Sequence, residues 1–265
     1  MSDPVIEVVD VQKHYGKVKA VDGLSFSIEP GEFIGFVGPN GAGKSTTIKM
    51  LTAQLLPTAG RITVGGVDVA ADPNAARALI GYVPEEPRMY EYLSAREMIE
   101  FVAEIRGGGD VEAALEIAGL GADADRMIQE YSQGMRRKTA LAAAMVATPK
   151  VLILDESLNG LDPPSAERVL QALDAARAAG AAVLLSTHVL DTLEKVATRI
   201  LILEKGENVE YGVADPSMWR SDGGLSVAEQ QAAAGVYWSK AANDRAMGAQ
   251  QLYARIKNGQ FYVFS

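Results

Sequence analysis

Hydrophobic and polar positions alternate from Val5 to about Glu29 (VIEVVDV, then KAVDGLSFSIEP), with Tyr15-Gly16 and Asp22-Gly23 as turn signals. This pattern predicts a layer of short antiparallel strands. The next apolar run, Phe33-Ile34-Gly35-Phe36-Val37, is continuous and ends in a Gly-rich turn, after which Thr46 to Leu51 takes helical spacing. Strand, loop and helix therefore follow one another. Arg61 to Val69 and Ile80 to Pro84 read as further strands, and Ser94-Ala95-Arg96-Glu97 forms a capping box that opens a helix to about Ile105.

Helical spacing continues over Asp110 to Leu120 and Gly134 to Ala147, after a break at Arg106-Gly107-Gly108-Gly109, which predicts an inserted helical lobe at about 86–148. Val151-Leu152-Ile153-Leu154 and Ala181-Ala182-Val183-Leu184-Leu185 are continuous apolar runs, as expected of parallel strands covered on both faces. Between them lies a helix with Asp162 as N-cap, Pro163 at its first position and Gly180 as its stop, so a right-handed βαβ crossover is expected. Arg199 to Leu203 and Asn208 to Tyr211 flank Glu204-Lys205-Gly206-Glu207 as a closing hairpin. The expected fold class is α/β: a core with a mostly parallel sheet, an N-terminal antiparallel β layer and the inserted helical lobe, spanning 1–213. The remainder, 214–265, reads as a C-terminal extension. It is Ala- and Gln-rich with a second capping box at Ser226 to Glu229, and Phe261 to Phe264 could form a short strand.

Charge narrows the choice of partner. The 25 Lys and Arg against 34 Asp and Glu give a net charge of −9, which disfavours phosphate backbones and anionic lipid, so nucleic acid is not expected. Cysteine is absent, which removes disulfides, thiolate metal sites and Cys nucleophiles. The opening MSDPVIEVVD lacks a basic region followed by an apolar core, so no secretory signal is visible. No uninterrupted apolar run reaches the ~18 residues of a membrane span, so any membrane role is borrowed from a partner.

The candidate chemistry sits at the ends of the predicted strands. Gly38-Pro39-Asn40-Gly41-Ala42-Gly43-Lys44-Ser45 matches G-x-x-x-x-G-K-[ST] between a buried strand and a helix. The glycines let several N–H groups point at phosphate oxygens, and the helix N-terminus adds partial positive charge. Lys44 has the reach for β and γ phosphates, the Ser45 hydroxyl suits a Mg²⁺ ligand, and Thr46 falls beside the α phosphate. Asp155-Glu156 ends the VLILD run, giving Asp155 for Mg²⁺ and Glu156 to polarise an attacking water. Ser186-Thr187-His188 follows the next strand, so His188, one of two histidines, emerges on the same edge. It could donate to the γ phosphate or orient the water; taken alone, a loop histidine more often has no role.

Together these residues resemble the ABC ATPase family, most closely its ABC-2-type exporters. The decisive addition is Tyr131-Ser132-Gln133-Gly134-Met135, which stands where the family carries its LSGGQ signature. The resemblance implies that Ser132, Gln133 and Gly134 bind ATP held by an opposite subunit, and that Ser157 to Asp162 form the D-loop crossing to it. Tyr15 resembles the aromatic residue that stacks on adenine. Glu85 stands where the family usually has Gln, a position that touches Mg²⁺ and the membrane partner, and a carboxylate can still ligate the metal. The resemblance runs from about Val5 to Gly212. Its implications are ATP and Mg²⁺ as cofactors, a homodimer or paired ATPase subunit, and integral membrane permease subunits that the chain meets at the cytoplasmic face. The loop Glu85 to Tyr92 and the helix after Ser94 are the expected grip. The Val83-Pro84-Glu85-Glu86 and Ser132-Gln133-Gly134-Met135 forms imply export of cargo. Two rivals, a non-transport ABC ATPase acting on DNA or ribosomes and a module that holds ATP without turnover, fit less well, given the missing coiled-coil insertion and the presence of Glu156.

Overall fold

Alternation along β1 (Ile6–Tyr15) sends Ile6, Val8 and Val11 into the core, and β1 pairs antiparallel with β2 (Val18–Ile28). The computed structural model describes residues 3–187, 190–204 and 207–211; the extension expected over 214–265 and His188 lie outside the described residues. The expected turn at Asp22-Gly23 is instead part of β2. Val9 and Asp10 are consecutive exposed positions, Asp10 has φ 47°, and the β1–β2 register shifts between Val8 and Val11. Opposite them Gly23 takes φ 78° between buried Val21 and Leu24, and Asp10 N–H donates to Ser25 Oγ at 2.8 Å. These irregularities reset the phase of both strands so that each side of the hairpin keeps its apolar face inward.

The predicted strand over Arg61 to Val69 is a hairpin, β4 (Ala59–Val64) and β5 (Val67–Asp68), turning at Gly65-Gly66. It completes an antiparallel sheet of order β2-β1-β4-β5. The second sheet comprises β3 (Phe33–Val37), β6 (Ile80–Val83), β7 (Val151–Asp155), β8 (Ala182–Ser186), β9 (Arg199–Glu204) and β10 (Glu207–Tyr211), in the order β10-β9-β3-β8-β7-β6. Every neighbour pairs in parallel except β10 with β9. Strands β3, β7 and β8 are buried at every position, as their unbroken apolar runs require.

Helix α1 (Lys44–Leu51) places Ile48, Met50 and Leu51 in the core that joins the two sheets. The opposite face of the parallel sheet packs on α5 (Gln133–Met145), α6 (Pro163–Ala178) and α7 (Leu190–Val196) through Leu141, Leu173 and Leu193. Side chains such as Phe33, Leu184 and Leu185 are fully covered, each burial favouring the fold by about 1.5–3 kcal/mol. Between β5 and β6 lies α2 (Pro73–Ala78), which apolar spacing did not predict. Asp72 caps it by accepting from Ala75 N–H at 2.9 Å, and Pro73 occupies its first turn.

Helices α3 (Ala95–Ile105) and α4 (Val111–Ala118) join α5 around a separate core that includes Ile99, Leu115, Ile128 and Ala142. The capping box read from sequence is formed: Ser94 Oγ accepts from Glu97 N–H at 3.2 Å, and Glu97 Oε2 accepts from Ser94 N–H at 2.8 Å. Among the described residues no helix is long and apolar enough to cross a membrane.

Candidate active site

Val37 ends β3 and Lys44 begins α1, so the loop Gly38 to Gly43 wraps the helix start. Gly43 has φ 99°, and a Cβ built there would lie 2.4 Å from Ala20 O, so the tight approach of β2 admits only glycine. No side chain caps α1 and no acidic residue occupies its first turn. The helix therefore presents bare N–H groups and the positive end of its dipole at the loop mouth. Lys44 Nζ donates to Gly38 O at 2.7 Å and to Pro39 O at 3.3 Å, which gathers the ammonium over the same loop. Ser45 is exposed and Thr46 is half-buried. A cradle of main-chain donors with one mobile cation fits a polyphosphate.

Asp155 closes β7 in register with Ser186 of β8 and is only 9% exposed. Burial raises its carboxyl pKa; the Ser186 hydroxyl opposes the shift, Glu156 and Glu85 reinforce it, and Lys44 opposes it. Those cross-effects locate Lys44, Glu85, Asp155 and Glu156 in one electrostatic neighbourhood. Tyr82 belongs to it as well, its phenol pushed up by burial and by the charge of Asp155. The hard oxygens of Ser45, Asp155 and Glu85 suit Mg²⁺. Among the described residues no three acidic or histidine side chains converge closely enough to hold a metal alone.

Glu156 adopts φ 48°, its N–H donates to Ser186 O at 2.9 Å, and its Oε2 accepts from Asn159 Nδ2 at 3.0 Å. The contact with Asn159 is one that sequence reasoning missed; only the position of Asn159 within the Ser157 to Asp162 turn could have hinted at it. Tyr15 is 50% exposed at the end of the hairpin whose Ala20 touches Gly43, and Lys13 Nζ lies 5.6 Å from its ring centroid.

Ser132 caps α5, accepting from Met135 N–H at 3.3 Å, and is exposed together with Gln133. Among the described residues no hydrogen bond joins Ser132, Gln133 or Gly134 to the loop Gly38 to Thr46. Gly134 instead faces the turn after β7, where Gly160 O would be 3.8 Å from an added Cβ. Within one chain, then, the structure gathers the loop with Asp155, Glu156 and Glu85, and leaves the signature residues on a separate surface. The lobe exposes Tyr92 at 81%, with Tyr90 and Phe101 packed edge-to-face at 5.6 Å nearby.

The model of the ABC transporter family matches residues 21–159. A Nod factor export ATP-binding protein I of Paraburkholderia xenovorans (strain LB400) is 36% identical over 235 residues, covering 86% of this chain and 77% of that protein. The linearmycin resistance ATP-binding protein LnrL of Bacillus subtilis (strain 168) is 36% identical over 214 residues, covering 78% and 69%. A solved ATP-binding subunit of an ABC transporter superposes with a TM-score of 0.75 at 30% identity, covering 79% of this chain and 90% of that one. The match spans both the loop before α1 and the acidic end of β7, so the likeness covers the site as well as the scaffold, and the chain belongs to the ABC transporter family as one of its ATPase domains.

Proposed function

We propose that the chain binds and hydrolyses ATP as the motor subunit of an exporter, working in pairs on separate membrane permease subunits at the cytoplasmic face. The observation that carries this is the edge of the parallel sheet, where the loop before α1, Lys44, Asp155, Glu156 and Glu85 share one neighbourhood. Lys44 and the N–H groups of α1 hold the phosphates, with Gly38, Pro39, Asn40, Gly41, Ala42 and Gly43 shaping the cradle and Thr46 beside it. Tyr15 offers an exposed ring on which adenine stacks. Ser45 and Asp155, with Glu85 beside them, would hold Mg²⁺, which would supply positive charge against the charge that develops on the phosphates. Glu156 accepts the proton of the attacking water as the water oxygen bonds to the γ phosphorus and the bond to the β-bridging oxygen breaks. His188 is the residue assigned to donate to the γ phosphate or to orient the water.

Ser132 and Gln133 are exposed and Gly134 is half-buried, and among the described residues none of the three is hydrogen-bonded to the loop Gly38 to Thr46, which supports a second copy or paired ATPase subunit presenting its nucleotide there. Such a pair closes around two ATP molecules and opens after hydrolysis, which biases the permease between conformations. Tyr90, Tyr92 and Phe101 provide the apolar surface for that permease, and the exporter relatives favour outward transport.

Lys44→Ala should abolish turnover and weaken ATP binding at least tenfold, as expected for loss of a charged phosphate contact. Glu156→Gln should retain ATP, fall at least a hundredfold in turnover, and sediment as a dimer when loaded with ATP. An ATP-loaded Glu156→Gln chain that stayed monomeric, or a Lys44→Ala chain with normal turnover, would overturn the proposal.

A further inference from the structure

Asn159 lies in the turn that leaves β7, and two of its groups grip Glu156. Its Nδ2 donates to Glu156 Oε2 at 3.0 Å and its main-chain N–H donates to Glu156 O at 3.2 Å. Glu156 itself sits at φ 48°, a left-handed conformation that a glutamate adopts only when its surroundings impose it. Whatever holds this turn therefore also decides where the carboxylate goes. An amide donor on one carboxylate oxygen fixes the rotation of the whole group, and a hydrogen bond to a charged acceptor is among the stronger ones.

The turn is gripped in its own right from the signature helix. Arg137 Nη1 donates to Asn159 O. Arg137 stands three positions after Gly134, so both occupy one face of α5, the face that meets Asn159 and Gly160. Gly160, at φ 75°, makes room for this: a Cβ there would lie 2.7 Å from Arg137 Nη1. The contacts run without a gap from the first turns of α5 through Arg137 and Asn159 to Glu156.

We propose that Asn159 is a positioning residue for Glu156 and that Arg137 holds Asn159 in place, so that the seating of α5 sets the aim of the general base in the same chain. This rests on Glu156 being the base, as proposed above. Because α5 opens with Ser132 and Gly134, engagement of a second copy's nucleotide at that helix reaches the water-polarising carboxylate of the chain that engages it. Each half of a pair thereby senses whether the other is loaded.

The test uses the full chain with Mg-ATP and compares kcat, KM and ATP affinity. Asn159→Ala should lower kcat about tenfold while KM and affinity stay within about twofold, the split expected when aim rather than binding is lost. In the Glu156→Gln background, Asn159→Ala should lower the residual rate no further, since a residue that acts through Glu156 has nothing left to act on. Arg137→Ala should reproduce the loss in kcat, and Arg137→Lys, which keeps a donor for Asn159 O, should recover part of it. If Arg137→Ala does not fold, the Arg137→Lys and Asn159→Ala chains decide the matter. Unchanged kcat in Asn159→Ala, a full additional loss in the double variant, or equal changes in kcat and KM would each overturn the relay. Glu156→Gln with normal turnover would instead remove the base itself, and the relay with it.

Discussion

Burial at the end of β7 raises the pKa of Asp155, and the charges of Glu156 and Glu85 add to the shift. A carboxyl group with a folded pKa above its unfolded value binds its proton more tightly in the folded chain. Its contribution to stability is therefore fully present below the unfolded pKa and is lost as pH rises through the folded one. Ionising Asp155 therefore costs the nucleotide-free chain stability, a cost that a cation bound beside it would offset. Asp155→Asn should accordingly melt higher than the unsubstituted chain at pH 7 in the absence of nucleotide and metal. The difference should fade as pH falls below the ordinary carboxylate range, where both side chains are neutral. The substitution should also erase most of the rise in melting temperature that Mg-ATP gives the unsubstituted chain. Thermal melts at several pH values, with and without Mg-ATP, measure all of this; an Asp155→Asn chain no more stable at pH 7 would show that burial does not penalise the charge.

Helix α3 shows what an element owes to its own sequence. Its start is specified within four residues, because Ser94 and Glu97 satisfy each other's main-chain N–H groups, and the bonds to Ser94 hold the Glu97 carboxyl below its usual range. Ser94→Ala should destabilise the chain by about 1 kcal/mol in urea unfolding, with little effect on the m value. Signals of this local kind were legible in advance: the capping box, Asp162 with Pro163 at the start of α6, the fully apolar runs of β3, β7 and β8, and the phosphate loop. Less legible were features set by chain segments far apart. The shifts that carry Asp22-Gly23 into β2 depend on what β1 does at Asp10, more than ten residues away. Helix α2 is short and buries only Ala76, so apolar spacing could not announce it, although Asp72-Pro73 could have. In the site, Lys44 and Asp155 could be picked out by motif, whereas the grip of Asn159 and Arg137 on Glu156 comes from packing α5 against the turn after β7, which spacing does not encode.

At the scale of the molecule, the helical lobe has its own core and must still move as one with the sheet if the seating of α5 is to matter at Glu156. Arg106 is one of the ties. It ends α3, and its guanidinium donates to Arg77 O at 2.8 Å, Ala78 O at 3.1 Å and Ile80 O at 2.9 Å, bracketing the end of α2 and the start of β6. The groups that hold this guanidinium are main-chain carbonyls, and partial desolvation lowers its pKa. Immediately beyond it Gly107 and Gly108 take φ 84° and 130°, and their N–H groups donate to Glu104 O at 3.1 Å and Ala103 O at 2.8 Å, closing the end of α3. Arg106→Met keeps most of the apolar stem but removes those three bonds, at a cost of about 1 kcal/mol. If the tie couples lobe to core, the loss should be felt locally first. Amides of α3 should exchange at least tenfold faster, while those of β7 and β8 change by less, because the sheet keeps its own covering on both faces. Uniform acceleration across α3, β7 and β8 would mean that the lobe never opens apart from the sheet, and that Arg106 supports a single cooperative unit.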